Sequence, residues 1–185
     1  NYQGGFTRRG LGGELGIEAQ VTPTIKLKGA ASMGQYTYSN SPNLYITSDD
    51  LKGPVSFGNG TTKLKNYHVA GGPERAYQLG IEYRDPKFWW VGLTTNYYSN
   101  TYLDINNLAR SDNFSTDFDG QPFNNYDPEV AKELLKQEKF DDYFLVNVIG
   151  GKSWKIKQYY VGFFASINNA LDQEYVTGGF EQGRK

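Results

Sequence analysis

Between residues 11 and 21 the chain alternates without a break. Leu11, Gly13, Leu15, Ile17, Ala19 and Val21 interleave with Gly12, Glu14, Gly16, Glu18 and Gln20. A period of two sends these sets to opposite faces of a strand, one apolar and one polar. Pro23 in Val21-Thr-Pro-Thr24 interrupts the ladder, and alternation resumes through Ile25, Leu27, Gly29, Ala31 and Met33, so the segment predicts a hairpin. Tyr77, Leu79, Ile81 and Tyr83, then Asp85-Pro86-Lys87, then Trp89, Val91, Leu93 and Thr95 predict a second. A third is predicted from Tyr143 through Val148, turning around Gly151–Lys155 and returning from Tyr159 to Ile167.

The connections sharpen this reading. Short turns fall near residues 22, 86 and 154, whereas residues 39–75 and 104–142 are long and polar, and the two kinds alternate strictly. Connections longer than about 15 residues are unusual in compact soluble domains. Short turns at one rim and long loops at the other are the habit of outer-membrane barrels, whose strands escape hydropathy scans because only alternate residues face lipid. Rings collect where strands meet their connections, as at Tyr36, Tyr83, Trp89, Tyr97, Tyr143, Trp154 and Tyr159, which suits two membrane interfaces and equally suits a soluble sheet. Glycines on the polar face, such as Gly12, Gly16, Gly80 and Gly162, suit a lumen better than a packed core.

Composition removes several function classes. Nineteen Lys and Arg against 20 Asp and Glu leave a net charge of −1, which disfavours a phosphate-tracking nucleic-acid binder. Cys is absent and His68 is the single histidine, so thiolate and His-based metal centres are out of reach and no cofactor is expected. No apolar run is long enough for a transmembrane helix, and residues 1–10 carry no apolar h-region, so a targeting segment would lie outside this sequence.

The motif search yields little chemistry. Gly151-Lys152-Ser153 resembles the end of a P-loop, but Val146 stands where its first Gly belongs. Asp117-Phe-Asp119-Gly120 resembles half of a calcium loop, yet the twelfth position is Pro128; a solvated acidic loop is the better reading, with a surface Ca²⁺ the alternative. Asp127-Pro128-Glu129-Val130 followed by residues 131–138 reads as an N-capped helix whose Val130, Leu134 and Leu135 stripe is expected to dock on neighbouring loops. His68 reads as a loop hydrogen-bonding residue. No nucleophile, base and orienter assemble, so the chain is expected to be non-enzymatic. Binding candidates are the loop rings Tyr45, Tyr67, Phe114, Phe118 and Tyr126, which offer stacking faces if the long loops converge.

Tyr159-Tyr-Val-Gly-Phe-Phe-Ala-Ser-Ile167 continues into Asn168-Asn169-Ala170-Leu171-Asp172-Gln173-Glu174-Tyr175. This run resembles the near-C-terminal barrel segment of TonB-dependent outer-membrane receptors, particularly those of Bacteroidota. Phe88-Trp-Trp-Val-Gly-Leu-Thr-Thr-Asn-Tyr-Tyr-Ser-Asn-Thr-Tyr-Leu103, after an Arg-Asp-Pro-Lys turn, looks like another strand of such barrels. The resemblance implies a 22-stranded barrel around a plug domain, and energised uptake across the outer membrane of a glycan, peptide, siderophore or other metal chelate. It also implies as partners outer-membrane lipid, the rest of the barrel with its plug, a TonB-type energising protein engaged through that plug, and a surface lipoprotein.

The expectation is therefore an all-β, antiparallel transmembrane barrel segment. Residues 1–185 would form a partial barrel domain of about six strands in three hairpins, with one short helix in an extracellular loop and with the plug and last strand absent. Six strands are too few to close around a polar lumen. Two other readings stay open: a soluble β-sandwich module binding carbohydrate or another ligand through the same loops, and a passive porin-like barrel.

Overall fold

The computed structural model describes residues 5–47, 49–56, 58–117 and 119–182. It is an all-β arrangement: strands β1 (Arg8–Gln20), β2 (Ile25–Tyr38), β3 (Arg75–Asp85), β4 (Trp89–Ser99), β5 (Tyr143–Ile156) and β6 (Tyr159–Ile167) form one antiparallel sheet in sequence order. The sheet is not closed; β1 and β6 are its edges, and every residue of both is exposed. Among the described residues no helix is long and apolar enough to cross a membrane.

Three tight turns join the strands in pairs at one rim. The first lies over residues 21–24, where Val21 and Thr22 both donate to the Ile25 carbonyl at 2.9 and 3.2 Å. The second is a three-residue loop after Asp85, closed by the Phe88 N–H to the Asp85 carbonyl at 3.1 Å, with Phe88 at φ 62°. The third corrects the sequence reading. β5 runs on through Trp154 to Ile156, and the turn is Lys157-Gln158, with Lys157 at φ 57° as primed hairpin turns demand of their first central residue. Gly150 and Gly151 are strand residues that make room for β4: a Cβ on Gly151 would meet Trp90 Nε1 at 2.8 Å and the Phe163 carbonyl at 3.0 Å. Their signal is close approach, not reversal of the chain.

With the turns at one rim, residues 39–74, 100–142 and 168–182 all leave from the other. The second of these carries two short 3₁₀ turns, Leu108–Arg110 and Asp112–Phe114, and helix α1 (Pro128–Leu134). Asp127 caps α1 as its sequence requires, its Oδ1 accepting from the Glu129 N–H at 2.9 Å, with Pro128 in the first turn. The buried apolar residues lie here. Tyr38, Leu64 and Ile105 form a small core with Tyr67 and Val69 against it, while the middle of the sheet has none.

Candidate functional site

The register sorts the sheet into two unlike faces. On one, Leu15, Ala31, Tyr77, Tyr97 and Phe144 form a row across the strands, followed by Ile17, Gly29, Leu79, Thr95 and Val146. Next come Ala19, Leu27, Ile81, Leu93, Val148 and Ile167, then Ile25, Tyr83, Val91, Gly150 and Ala165. None of these four rows holds a charge. The flanking rows do: Arg75 lies toward the loops, and Asp85 and Lys152 lie toward the turns beside Trp89 and Phe163. Among the described residues nothing covers this face, and Leu15 and Leu79 are each 72% exposed.

Over β1–β4 the opposite face is largely polar and internally paired, while β5 and β6 add Leu145, Ile149, Tyr160 and Phe164 to it. Lys26 reaches Glu18 at 2.6 Å, Lys28 reaches Glu82 at 3.1 Å, and Gln78 donates to Asn96 at 2.9 Å. Glu14, Ser32, Gln78, Asn96 and Tyr98 line a shallow hollow of about 440 Å³ toward the loop rim.

Above the sheet the loops lock into a cap, and Arg110 is its fastener. Only 3% exposed, Arg110 pairs with Glu181, donates to the Leu135 carbonyl at 2.9 Å and the Asn106 carbonyl at 3.2 Å, and lies 4.9 Å over the Tyr67 ring. Gln137 is the second fastener. Its amide donates to the carbonyls of His68 and Leu103 at 2.9 and 2.8 Å, and its Oε1 accepts the His68 N–H at 2.7 Å. The His68 ring stacks on Tyr102 at 3.7 Å and meets buried Glu74 at 2.8 Å through Nδ1. Desolvation, with Glu74 close by, raises the Tyr102 phenol above its ordinary pKa. Where the second loop rejoins the sheet, the Tyr97 hydroxyl donates to Asp142 at 2.7 Å and, with Lys139, lowers that carboxyl below its usual range.

The five rings proposed from the sequence part company here. Tyr67 is used structurally, its hydroxyl bonded to the Leu135 carbonyl at 2.8 Å beneath Arg110. Phe114 and Tyr126 meet at one cleft of about 360 Å³, together with Phe123, Val130 and Leu134. Tyr45 is exposed and lines neither that cleft nor its neighbour. Phe118 lies outside the described residues. The neighbouring cleft, about 480 Å³, shares the Phe114, Phe123 and Leu134 walls and ends at Asn106 and Glu181.

The α1 stripe is docked only in part: Leu135 is half-buried, its carbonyl held by Tyr67 and Arg110, whereas Val130 and Leu134 are 54% and 48% exposed and Ala131 is the buried residue of the helix. Asp117, Asp119 and Gly120 are exposed, as a solvated acidic loop requires, and Asp117 Oδ1 accepts from the N–H groups of Asp119 and Gln121 at 3.0 and 2.8 Å. Among the described residues no group of three or more potential ligands is placed to hold a metal ion. Arg110 and Gln137 escape a sequence reading because their partners are remote; Arg110 and Glu181 are 71 positions apart. No family model and no curated protein matches this chain.

Proposed function

We propose that the chain is a wall segment of an outer-membrane barrel of the TonB-dependent receptor type, working in energised ligand uptake. The observation that carries this reading is the uncovered, charge-free apolar face running across all six strands. On β3 its flanking charges are Arg75 and Asp85. Ten residues at about 3.4 Å each, tilted about 40° to the membrane normal, give a band about 26 Å high, against about 25 Å for the apolar belt of such barrels. Tyr77, Tyr97 and Phe144 at one margin and Trp89, Trp154 and Tyr159 at the other fit the aromatic girdles. A paired polar face fits a wet lumen, and two open edges fit continuation into further strands.

The test uses single-cysteine variants of the full-length protein in native membranes. Cysteines at Leu93, Ile167 and Ile17 are expected to resist a water-soluble maleimide, while those at Thr94 and Asn147 react once the lumen is opened. The protein itself is expected to need detergent for extraction and to migrate heat-modifiably on gels. Uniform labelling of both faces, or a monodisperse detergent-free protein, would overturn the membrane reading in favour of a sandwich module.

A further inference from the structure

The two clefts that share the Phe114, Phe123 and Leu134 walls form one groove on the outside of the cap, and its chemistry is specific. Its walls mix rings with the branched aliphatics Val130 and Leu134, a surface that buries an apolar side chain better than it stacks a sugar. Phe123, Val130 and Leu134 are each about half exposed, so the groove stands open. Asn106, Asn113 and Asn125 at its borders offer both donors and acceptors, the complement of a peptide backbone.

The segments that build this groove are strongly acidic in balance. Residues 100–142 hold ten carboxylates against four Lys and Arg, net −6, and residues 168–182 hold three carboxylates and no Lys or Arg, net −3. This part of the cap therefore carries −9 within a chain whose total is −1, leaving +8 for everything else. Three of its four cations are engaged: Arg110 with Glu181, Lys136 with Glu133, Lys139 with Asp142. Among the described residues no Lys or Arg pairs with Asp127 on the groove wall. Such a surface repels anionic cargo and concentrates cations.

We propose that this groove binds a short peptide carrying a bulky apolar side chain beside Lys or Arg, the apolar group between Phe114, Phe123 and Leu134 and the cation toward Asp127. As cargo, the peptide rests on the uptake reading; as a ligand, it rests on the groove alone.

The experiment is fluorescence anisotropy on the full-length protein in detergent at about 50 mM salt, with dye-labelled Lys-Leu-Phe-Lys-Leu-Lys as probe. Glu-Leu-Phe-Glu-Leu-Glu and maltohexaose serve as competitors. The basic peptide is expected to bind at least about tenfold more tightly than the acidic one, and to weaken severalfold at about 500 mM salt as screening shortens the field. Phe123→Ser is expected to cost about tenfold, the worth of one buried apolar contact. Asp127→Asn is expected to weaken the basic peptide severalfold while leaving α1 intact, since Asn caps a helix as well as Asp. Equal affinity for both peptides, displacement of the probe by maltohexaose, or no effect of Phe123→Ser would overturn the assignment. Binding in detergent without uptake by cells would instead overturn the transport reading and leave the groove assignment standing.

Discussion

Replacing Leu93 by Arg is the perturbation that weighs the apolar face most directly. On β4 the charged margins lie at the rows of Trp89 and Ser99, so Leu93 is four residues from the nearer one. At about 3.4 Å per residue and a tilt near 40°, that places it about 10 Å inside the band, whereas Tyr97 lies about 5 Å inside the other margin. In a bilayer, Leu93→Arg should cost about 2–4 kcal/mol and Tyr97→Arg about 0–1 kcal/mol beyond its local contacts. Those contacts matter, because the Tyr97 hydroxyl donates to Asp142; Tyr97→Phe removes that bond alone and supplies the baseline. Thr94→Arg, one residue on and facing the polar side, should stay within about 0.5 kcal/mol. The assay is denaturant unfolding of the full-length protein from phospholipid vesicles. Leu93 is already 42% exposed with nothing over it, so on a sheet bathed in water its replacement would cost under about 0.5 kcal/mol. That small value, or equal costs at Leu93 and corrected Tyr97, would refute the depth argument.

Arg110→Met should unfasten the cap while sparing the sheet. Breaking a buried pair costs about 3 kcal/mol, so amides such as Leu103 and Lys63 should exchange roughly 100-fold faster by mass spectrometry while those of β3 and β4 keep their protection. At the third turn, Lys157→Val should lower the unfolding midpoint by the equivalent of about 1–2 kcal/mol relative to Lys157→Asn, because a β-branched residue fits badly at φ 57°; equal midpoints would contradict the turn geometry. Asp142, held below its ordinary carboxyl pKa in the folded chain, contributes stability that is complete above that ordinary value, about 3.9, and is lost as pH falls through the depressed one. Asp142→Asn should therefore lower loop protection near pH 7, where the carboxylate's contribution is complete, and converge on the parent as pH falls through the depressed pKa, so that the acid limb flattens.

The strands and their faces were legible because period two is a local property: each residue's side follows from its neighbours, and Leu15, Ile17, Leu79, Ile81 and Leu93 fall on one face whichever strand lies beside them. Strict alternation of short and long connections likewise put the loops on one rim before any pairing was known. Gly150 and Gly151 misled, since glycine marks both turns and close approach, and only the register that brings Trp90 opposite Gly151 separates the two. The loops were beyond reach for a different reason. Arg110 finds Glu181, and Gln137 finds His68, across 71 and 69 positions without any periodicity to announce them. The position of Tyr67 beneath Arg110 follows from those long-range fastenings, while Phe114 and Phe123 meet across an irregular turn in which the Phe123 N–H donates to the Ser115 carbonyl at 3.1 Å. Local patterning thus determined the strands and their two faces, whereas the cap and its groove were decided by tertiary contacts, whose energies depend on partners that chain order does not name.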